Sequence, residues 1–201
     1  MEAHQNKLTA GDIRSFLLNA YFRDTSDPVY AAANSSYLDL NRTIDFKNTE
    51  NITKEKKSEL RQASVNIIKT RIIDLPKMGF LDRQMFDEWH AALCDDICKK
   101  YGEADVQFHY GQAQKWVNMT MKYLSVIDSS KTEGYFAFLH VPIDSIVFDL
   151  AHEEFGLMRP ANRWSRLSKD EYISYQEALR LRIKEETGLS PLLWEFRNWN
   201  R

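Results

Sequence analysis

The segment from Gly111 to Phe155 reads GQAQKWVNMTMKYLSVIDSSKTEGYFAFLHVPIDSIVFDLAHEEF, and the rest of the chain is organised around it. Its apolar periodicity predicts two helices joined by a polar loop. Lys115 stands at the predicted start of the first helix, and Asp144 opens the second. This lysine and this aspartate are the polar pair that looks placed for chemistry, so the first question is whether they meet in space.

Composition describes an ordinary globular chain. The 201 residues are 43% hydrophobic and 28% charged, and the formal net charge is −2. This balance argues against a strong non-specific nucleic-acid binder. Two cysteines, Cys94 and Cys98, imply no disulfide framework. Because no apolar run approaches the ~18 residues of a membrane helix and the N-terminus lacks a signal-peptide core, we expect a soluble, cytoplasmic protein without membrane association.

Helix signals dominate the whole chain. Glycine and proline fall mostly between periodic segments, and no hairpin signal is convincing. The sequence predicts an all-α protein with six to eight helices in a single domain over residues 1–201, globular or two-lobed, the lobes being residues 1–52 plus the C-terminal helices, and 53–156. The predicted helix starts are Thr9, Val29, Thr53, Leu81 or Asp82, Ser168 and Pro191. In the first helix, apolar residues at helical spacing mark one face, which comprises Ile13, Phe16, Leu17, Ala20 and Tyr21.

Lys115 and Asp144 each have a chemical interpretation and a structural one. A lysine amine becomes a nucleophile when desolvation lowers its pKa, and it can then form a Schiff base with a carbonyl or sugar carbon. Trp116 and the apolar helix that follows make such desolvation plausible for Lys115. The structural interpretation is a snorkelling surface lysine and a first-turn or N-cap aspartate.

The same segment resembles the helix-hairpin-helix DNA glycosylases, most closely their archaeal 8-oxoguanine type. That superfamily carries a G-x-G-x-K hairpin ending in the catalytic lysine and a later V-[PA]-[VI]-D segment. The corresponding residues here are Gly111-Gln112-Ala113-Gln114-Lys115 and Val141-Pro142-Ile143-Asp144, followed near the C-terminus by Ser190-Pro191-Leu192-Leu193-Trp194. Ala113 replaces the second glycine, and His109-Tyr110 replaces the usual Leu-Pro.

The resemblance implies a DNA-repair hydrolase that cleaves a base–sugar N-glycosidic bond. Lys115 would attack the anomeric carbon of a flipped-out nucleoside, and Asp144 would activate that step. Gly111, Gln112, Ala113 and Gln114 would bind a DNA phosphate as a hairpin. DNA would be the partner, and neither a cofactor nor a metal is predicted.

Two alternatives remain open. A non-catalytic all-α interaction module with a protein partner fits the same composition. A HEPN-type ribonuclease fits the spacing of Arg83 and His90. His90, Cys94 and Cys98 share one helix face, but a single helix cannot wrap a tetrahedral ion, so packing is the favoured interpretation.

Tryptophan and arginine concentrate near the C-terminus. Trp164, Trp194 and Trp199 lie among arginines that include Arg197 and Arg201. They could stack on bases, but a C-terminal helix docked by its tryptophans is the favoured interpretation.

Overall fold

The described part of the chain is entirely helical apart from turns and loops. The structure, a computed structural model, describes residues 7–46, 52–79 and 82–199. Within these ranges no strand occurs, and the all-α prediction is confirmed. The α-helices are α1 (Ala10–Phe22), α2 (Pro28–Tyr37), α3 (Lys54–Asp74), α4 (Arg83–Gly102), α5 (Tyr110–Ile127), α6 (Ser145–Phe155), α7 (Lys169–Thr187) and α8 (Pro191–Asn198). Short 3-10 segments are Asn41–Thr43, Leu75–Met78, Ser129–Lys131, Glu133–Phe138 and Trp164–Arg166.

Side-chain caps set most helix starts where the sequence predicts them. The Thr9 hydroxyl accepts from the Asp12 N–H, and the Asp12 carboxylate accepts from the Thr9 N–H. This capping box begins α1. Thr53 and Ser168 cap α3 and α7 in the same position. Asp82 caps α4, while the alternative start at Leu81 lies outside the described residues. Each cap satisfies a backbone donor that the first helical turn leaves without a partner.

Helix α5 lies at the centre of the fold. Its residues are buried from Tyr110 to Leu124, and it packs against α2, α4, α7 and the 3-10 segment Trp164–Arg166. Buried apolar side chains from all eight α-helices join one core cluster. The division into two lobes stays a prediction.

The start of α5 corrects the predicted hairpin. Residues Gly111 to Lys115 form the first turns of α5 rather than a hairpin before it. Gly111 is required by packing, because a Cβ there would lie 1.9 Å from the Trp164 carbonyl oxygen. Its N–H donates to the Leu167 carbonyl at 3.0 Å. The glycine therefore admits a neighbouring backbone and does not open a turn.

The apolar face of α1 is largely exposed. Phe16 is 71% exposed, Leu17 and Tyr21 are 59% exposed, and Phe22 is the buried residue of the helix. α1 is nevertheless anchored, because the Arg14 guanidinium donates to the Val126 carbonyl at 2.6 Å at the C-terminal end of α5. A cation suits that negative end of the helix dipole.

Candidate functional site

Lys115 and Asp144 meet in the interior. The Lys115 Nζ donates to Asp144 Oδ2 at 2.7 Å and to the Pro142 carbonyl at 3.3 Å. Asp144 is the N-cap of α6, and its Oδ1 accepts from the Val147 N–H at 2.9 Å. The two side chains are 5% and 18% exposed. The chain thus places a lysine of α5 against an aspartate 29 residues later, and the bonds to Pro142 and Val147 orient the pair.

A second buried ion pair lies two turns further along α5. Lys122 Nζ donates to Glu195 Oε1 at 2.7 Å, and the side chains are 5% and 4% exposed. Seven residues separate Lys122 from Lys115, so the two lysines share one helix face. The lysine spacing within an apolar helix was the available sequence signal, but nothing in the sequence indicated Glu195 of α8 as the partner.

Desolvation shifts the second pair toward its neutral form. Burial lowers the pKa of Lys122, opposed by the charge and hydrogen bond of Glu195. Burial likewise raises the pKa of Glu195, opposed by Lys122. Both shifts have one cause, since a low-dielectric interior disfavours each charged form. An amine that loses its proton to such a partner is a competent nucleophile.

A third acid lies close to this cluster. Burial raises the pKa of Asp39, and the charges of Lys115 and Lys122 partly offset that rise. The Tyr123 hydroxyl donates to Asp39 at 2.9 Å and is 2.8 Å from the Tyr21 hydroxyl of α1. The tyrosine pair therefore links the buried charges to the exposed helix.

Two openings reach the charged cluster. A cavity of about 60 Å³ is lined by both acids, Asp144 and Glu195, together with Trp199. A larger groove of about 960 Å³, here called the α1 groove, lies between α1, α5 and α8. Its lining includes Ile13, Arg14, Leu17, Tyr21, Lys122, Tyr123, Val126, Phe196 and Trp199. Lys122 is therefore the lysine of the cluster that lines the larger opening.

The predicted phosphate-binding residues are buried and engaged within the fold. Gln112 donates to the Thr43 carbonyl at 2.7 Å, and Gln114 donates to the Ile143 carbonyl at 2.8 Å. Ala113 is fully buried, and its N–H donates to the His109 carbonyl. A DNA phosphate could reach these amides only after the first turn of α5 had unwound. Their role in nucleic-acid binding stays a prediction, but the hairpin geometry behind it is wrong for the described conformation.

Gln114 also supports the Lys115–Asp144 pair from the protein side. Its Oε1 accepts from the Ile143 N–H at 3.2 Å and from Asn118 Nδ2 at 3.0 Å. These bonds tie the residue before Asp144 to α5. The amide thus holds the segment that carries the aspartate, which is a role the hairpin interpretation did not assign.

The two residues of the ribonuclease alternative differ in solvent exposure. Arg83 is exposed at the start of α4, whereas His90 is 1% exposed. His90 Nε2 is 2.8 Å from Asn118 Oδ1, and burial lowers the pKa of the ring well below its ordinary value. A histidine held this way does not face an RNA strand in the described conformation.

His90 belongs to a buried polar chain that the sequence did not indicate. His140 lies 2.6 Å from Asp87 and 2.8 Å from the Tyr172 hydroxyl, which accepts from Asn118 at 2.9 Å. Arg180 binds Asp87 through both terminal nitrogens at 2.9 Å. These contacts join α4, α5 and α7 through buried polar side chains.

Cys94 and Cys98 are free thiols on α4, and Cys94 Sγ lies 3.8 Å from His90 Nδ1. Burial raises the pKa of Cys94 well above its ordinary value and that of Cys98 to about 12. Within the described ranges, no group of three or more His, Cys, Asp or Glu side chains is arranged to hold a metal.

The C-terminal tryptophans have separate environments. Trp194 is buried, and its indole donates to Glu154 at 3.1 Å, which docks α8 in the core. Trp199 is 54% exposed, and its ring centroid lies 3.3 Å from Lys122 Nζ. Arg201 lies outside the described residues. Docking therefore accounts for Trp194, while Trp199 covers the second lysine.

Comparison of the chain with protein-family models, with curated proteins and with solved structures found no match. Among the helices that the structure describes, none combines the length and the apolar character needed to cross a membrane.

Proposed function

We propose that the protein is a lysine-dependent enzyme of the DNA-glycosylase type that cleaves a base–sugar N-glycosidic bond. Lys115 is the nucleophile and Asp144 its partner. The observation that supports the proposal is the 2.7 Å contact between the Lys115 amine and the Asp144 carboxylate.

The proposed chemistry follows from that contact. Asp144 accepts a proton from the Lys115 ammonium, and the neutral amine attacks the anomeric carbon. The bond between that carbon and the base nitrogen breaks, and the base leaves with the electron pair and takes the proton that Asp144 received from Lys115, which returns Asp144 to its carboxylate form. The Asp144 carboxylate stabilises positive charge developing on the sugar, and the low-dielectric surroundings strengthen that interaction.

Access is the structural demand of the proposal. Lys115 is nearly enclosed, while Asp144 is 18% exposed and lines the cavity of about 60 Å³ beside Trp199. A nucleoside is larger than this cavity, so the substrate must displace the last turn of α8. Residues 111–114 are not used as phosphate contacts in the proposal, since their polar groups are engaged within the fold.

Borohydride trapping tests the proposal directly. The protein is incubated with duplexes that each carry one 8-oxoguanine, uracil or abasic site, and any imine is reduced to a stable crosslink. Lys115→Gln should abolish the crosslink, whereas Lys184→Gln, at an exposed position of α7, should leave it intact. A crosslink that persists in Lys115→Gln would exclude Lys115 as the nucleophile.

A second candidate function is that of a non-catalytic interaction module. The observation that favours it is the exposed apolar surface at the start of the chain, where Leu8 is 82% and Phe16 is 71% exposed. Neither residue lines the α1 groove. Large exposed apolar side chains are the kind of surface that protein interfaces use.

Sedimentation at increasing concentration tests self-association as the simplest form of this module. Wild-type protein should form a dimer that Phe16→Asp dissolves without lowering the unfolding free energy, because Phe16 packs little in the monomer. A wild-type protein that stays monomeric at all concentrations would exclude self-association.

A further inference from the structure

The Lys122 amine occupies a different environment from the Lys115 amine. Lys122 lines the α1 groove, whereas the Lys115 amine is enclosed by Asp144 and the Pro142 carbonyl. The rings of Trp199 and Phe196 lie 3.3 and 5.2 Å from Lys122 Nζ. The space that Lys122 lines has a volume of about 960 Å³, which is the size of small-molecule sites.

The walls of the α1 groove suit an aromatic ligand. Ile13 and Leu17 of α1 contribute aliphatic side chains, and Tyr21 and Trp199 contribute aromatic ones. The polar side chains of the lining include Arg14, Lys122 and Tyr123. A flat apolar molecule with one polar, electrophilic group would match this distribution.

Glu195 supplies an acid beside the amine. Its Oε1 accepts from Lys122, while its Oε2 is buried without a hydrogen-bond partner among the described residues. Glu195 is 3% exposed, so this oxygen is withheld from bulk water. A buried carboxyl oxygen without a partner is free to hold a proton or to bind a ligand atom.

We propose that Lys122 is a second, carbonyl-reactive amine that binds aromatic aldehydes or ketones in the α1 groove as imines, with Glu195 as the proton donor. The reaction begins when the ammonium proton of Lys122 moves to Glu195, which gives a neutral amine and a carboxylic acid. The amine nitrogen bonds to the carbonyl carbon, and the carbonyl oxygen becomes a hydroxyl by taking one proton from nitrogen. Glu195 protonates that hydroxyl, which leaves as water, and a protonated imine remains beside the Glu195 carboxylate.

The electrostatic surroundings are consistent with this step. Burial lowers the pKa of Lys122 and raises that of Glu195. The charge of Lys115 lowers the pKa of both groups, and the charge of Asp144 raises the pKa of both. Asp39 faces the same cluster from the segment after α2. A product imine of this kind does not require DNA, so the inference extends beyond the proposed glycosylase activity.

Reductive labelling of the wild-type protein tests the inference. Full-length protein at pH 7 is treated briefly with substoichiometric 2-naphthaldehyde and cyanoborohydride, and the modified lysines are mapped by peptide mass spectrometry. Lys122 should be labelled several-fold faster than the exposed Lys54 and Lys184, because its lowered pKa favours the neutral amine and the α1 groove holds the aldehyde beside it. Label distributed over exposed lysines, with Lys122 unmodified, would overturn the inference.

Two surface variants separate the groove from general reactivity. Leu17→Glu places a charge in the α1 groove and should lower the Lys122 labelling rate about fivefold, since an apolar ligand then meets an uncompensated charge. Leu8→Glu, also on an exposed leucine but outside the groove, should leave the rate unchanged. Equal rates in the two variants would exclude the α1 groove as the binding site.

The outcome is distinct from that of the DNA experiment. Loss of the DNA crosslink in Lys115→Gln with naphthyl label on Lys122 supports both proposals. Naphthyl label on Lys122 without any DNA crosslink supports the second proposal and excludes the first under those substrates.

Discussion

The carboxylate of Asp144 joins two structural tasks, because one oxygen accepts from the Lys115 amine at 2.7 Å and the other caps α6 through the Val147 N–H. The position of the catalytic candidate is therefore fixed by the same bond that begins a helix. The capping bond orients the carboxylate, so its second oxygen points toward the Lys115 amine.

Replacing Asp144 should be costly. Asp144→Ala leaves the buried Lys115 amine without its anion and removes the α6 cap, so the unfolding free energy should fall by about 3–5 kcal/mol. Urea denaturation measures this, with Asp170→Ala, at an exposed position of α7, as the control. A loss below about 1 kcal/mol would show that the pair contributes little to the folded state.

Gly111→Ala tests whether Gly111 serves packing. The added Cβ would lie 1.9 Å from the Trp164 carbonyl oxygen, which forces the backbones apart and should cost about 1–3 kcal/mol. Gly102→Ala, at a helical glycine with open space around it, should be neutral or stabilising. Equal thermal stability of the two variants would contradict the packing role.

Acid should destabilise the protein through its buried histidines. Burial lowers the pKa of both His90 and His140, with Asp87 and Arg180 as the charges facing them. A lowered folded pKa means that the unfolded chain takes up the proton first, so stability falls as the pH drops below 6.5 toward the folded pKa values.

His90, whose pKa is lowered well below its ordinary value, contributes a slope of about 1.4 kcal/mol per pH unit in that window. His90→Asn should therefore reduce the pH slope of the unfolding free energy by about this amount, whatever its effect on absolute stability. Unfolding titrations between pH 4.5 and 6.5 provide the comparison. An unchanged slope in the variant would mean that His90 titrates alike in both states.

Trp199 should stabilise the charged form of Lys122. Its ring lies over the ammonium, and removal of a partly desolvated cation–π contact costs about 0.5–2 kcal/mol. Trp199→Ala should lower the unfolding free energy by that amount, while Trp199→Phe should recover part of it. Equal stability of the two variants would show that the contact between the Trp199 ring and Lys122 does not stabilise the fold.

Helix boundaries were predictable wherever a cap residue decides them locally. Thr9, Thr53 and Ser168 set their helix starts through bonds within three residues. Gly111 could not be interpreted in this way. The glycine is needed because the Trp164 carbonyl packs against it, and Trp164 is 53 residues away in sequence. No local sequence pattern indicates such a contact.

The candidate site was predictable only in part for the same reason. Lys115 and Asp144 stood out because each belongs to a recognisable motif. Glu195 lies 73 residues from Lys122 and carries no motif, so this pair becomes visible only when α8 docks on α5. The exposed face of α1 illustrates a further limit, since apolar periodicity predicts a face to be covered but not which molecule covers it.

Trapping of a covalent DNA adduct is the most direct test of the central claim. With a duplex that carries a damaged base or an abasic site, borohydride should capture a crosslink in wild-type protein and in Lys184→Gln, and peptide mapping should place it on Lys115. A crosslink that survives Lys115→Gln, or one mapped to another lysine, would contradict Lys115 as the nucleophile. No crosslink with any of these duplexes would contradict the proposed activity itself.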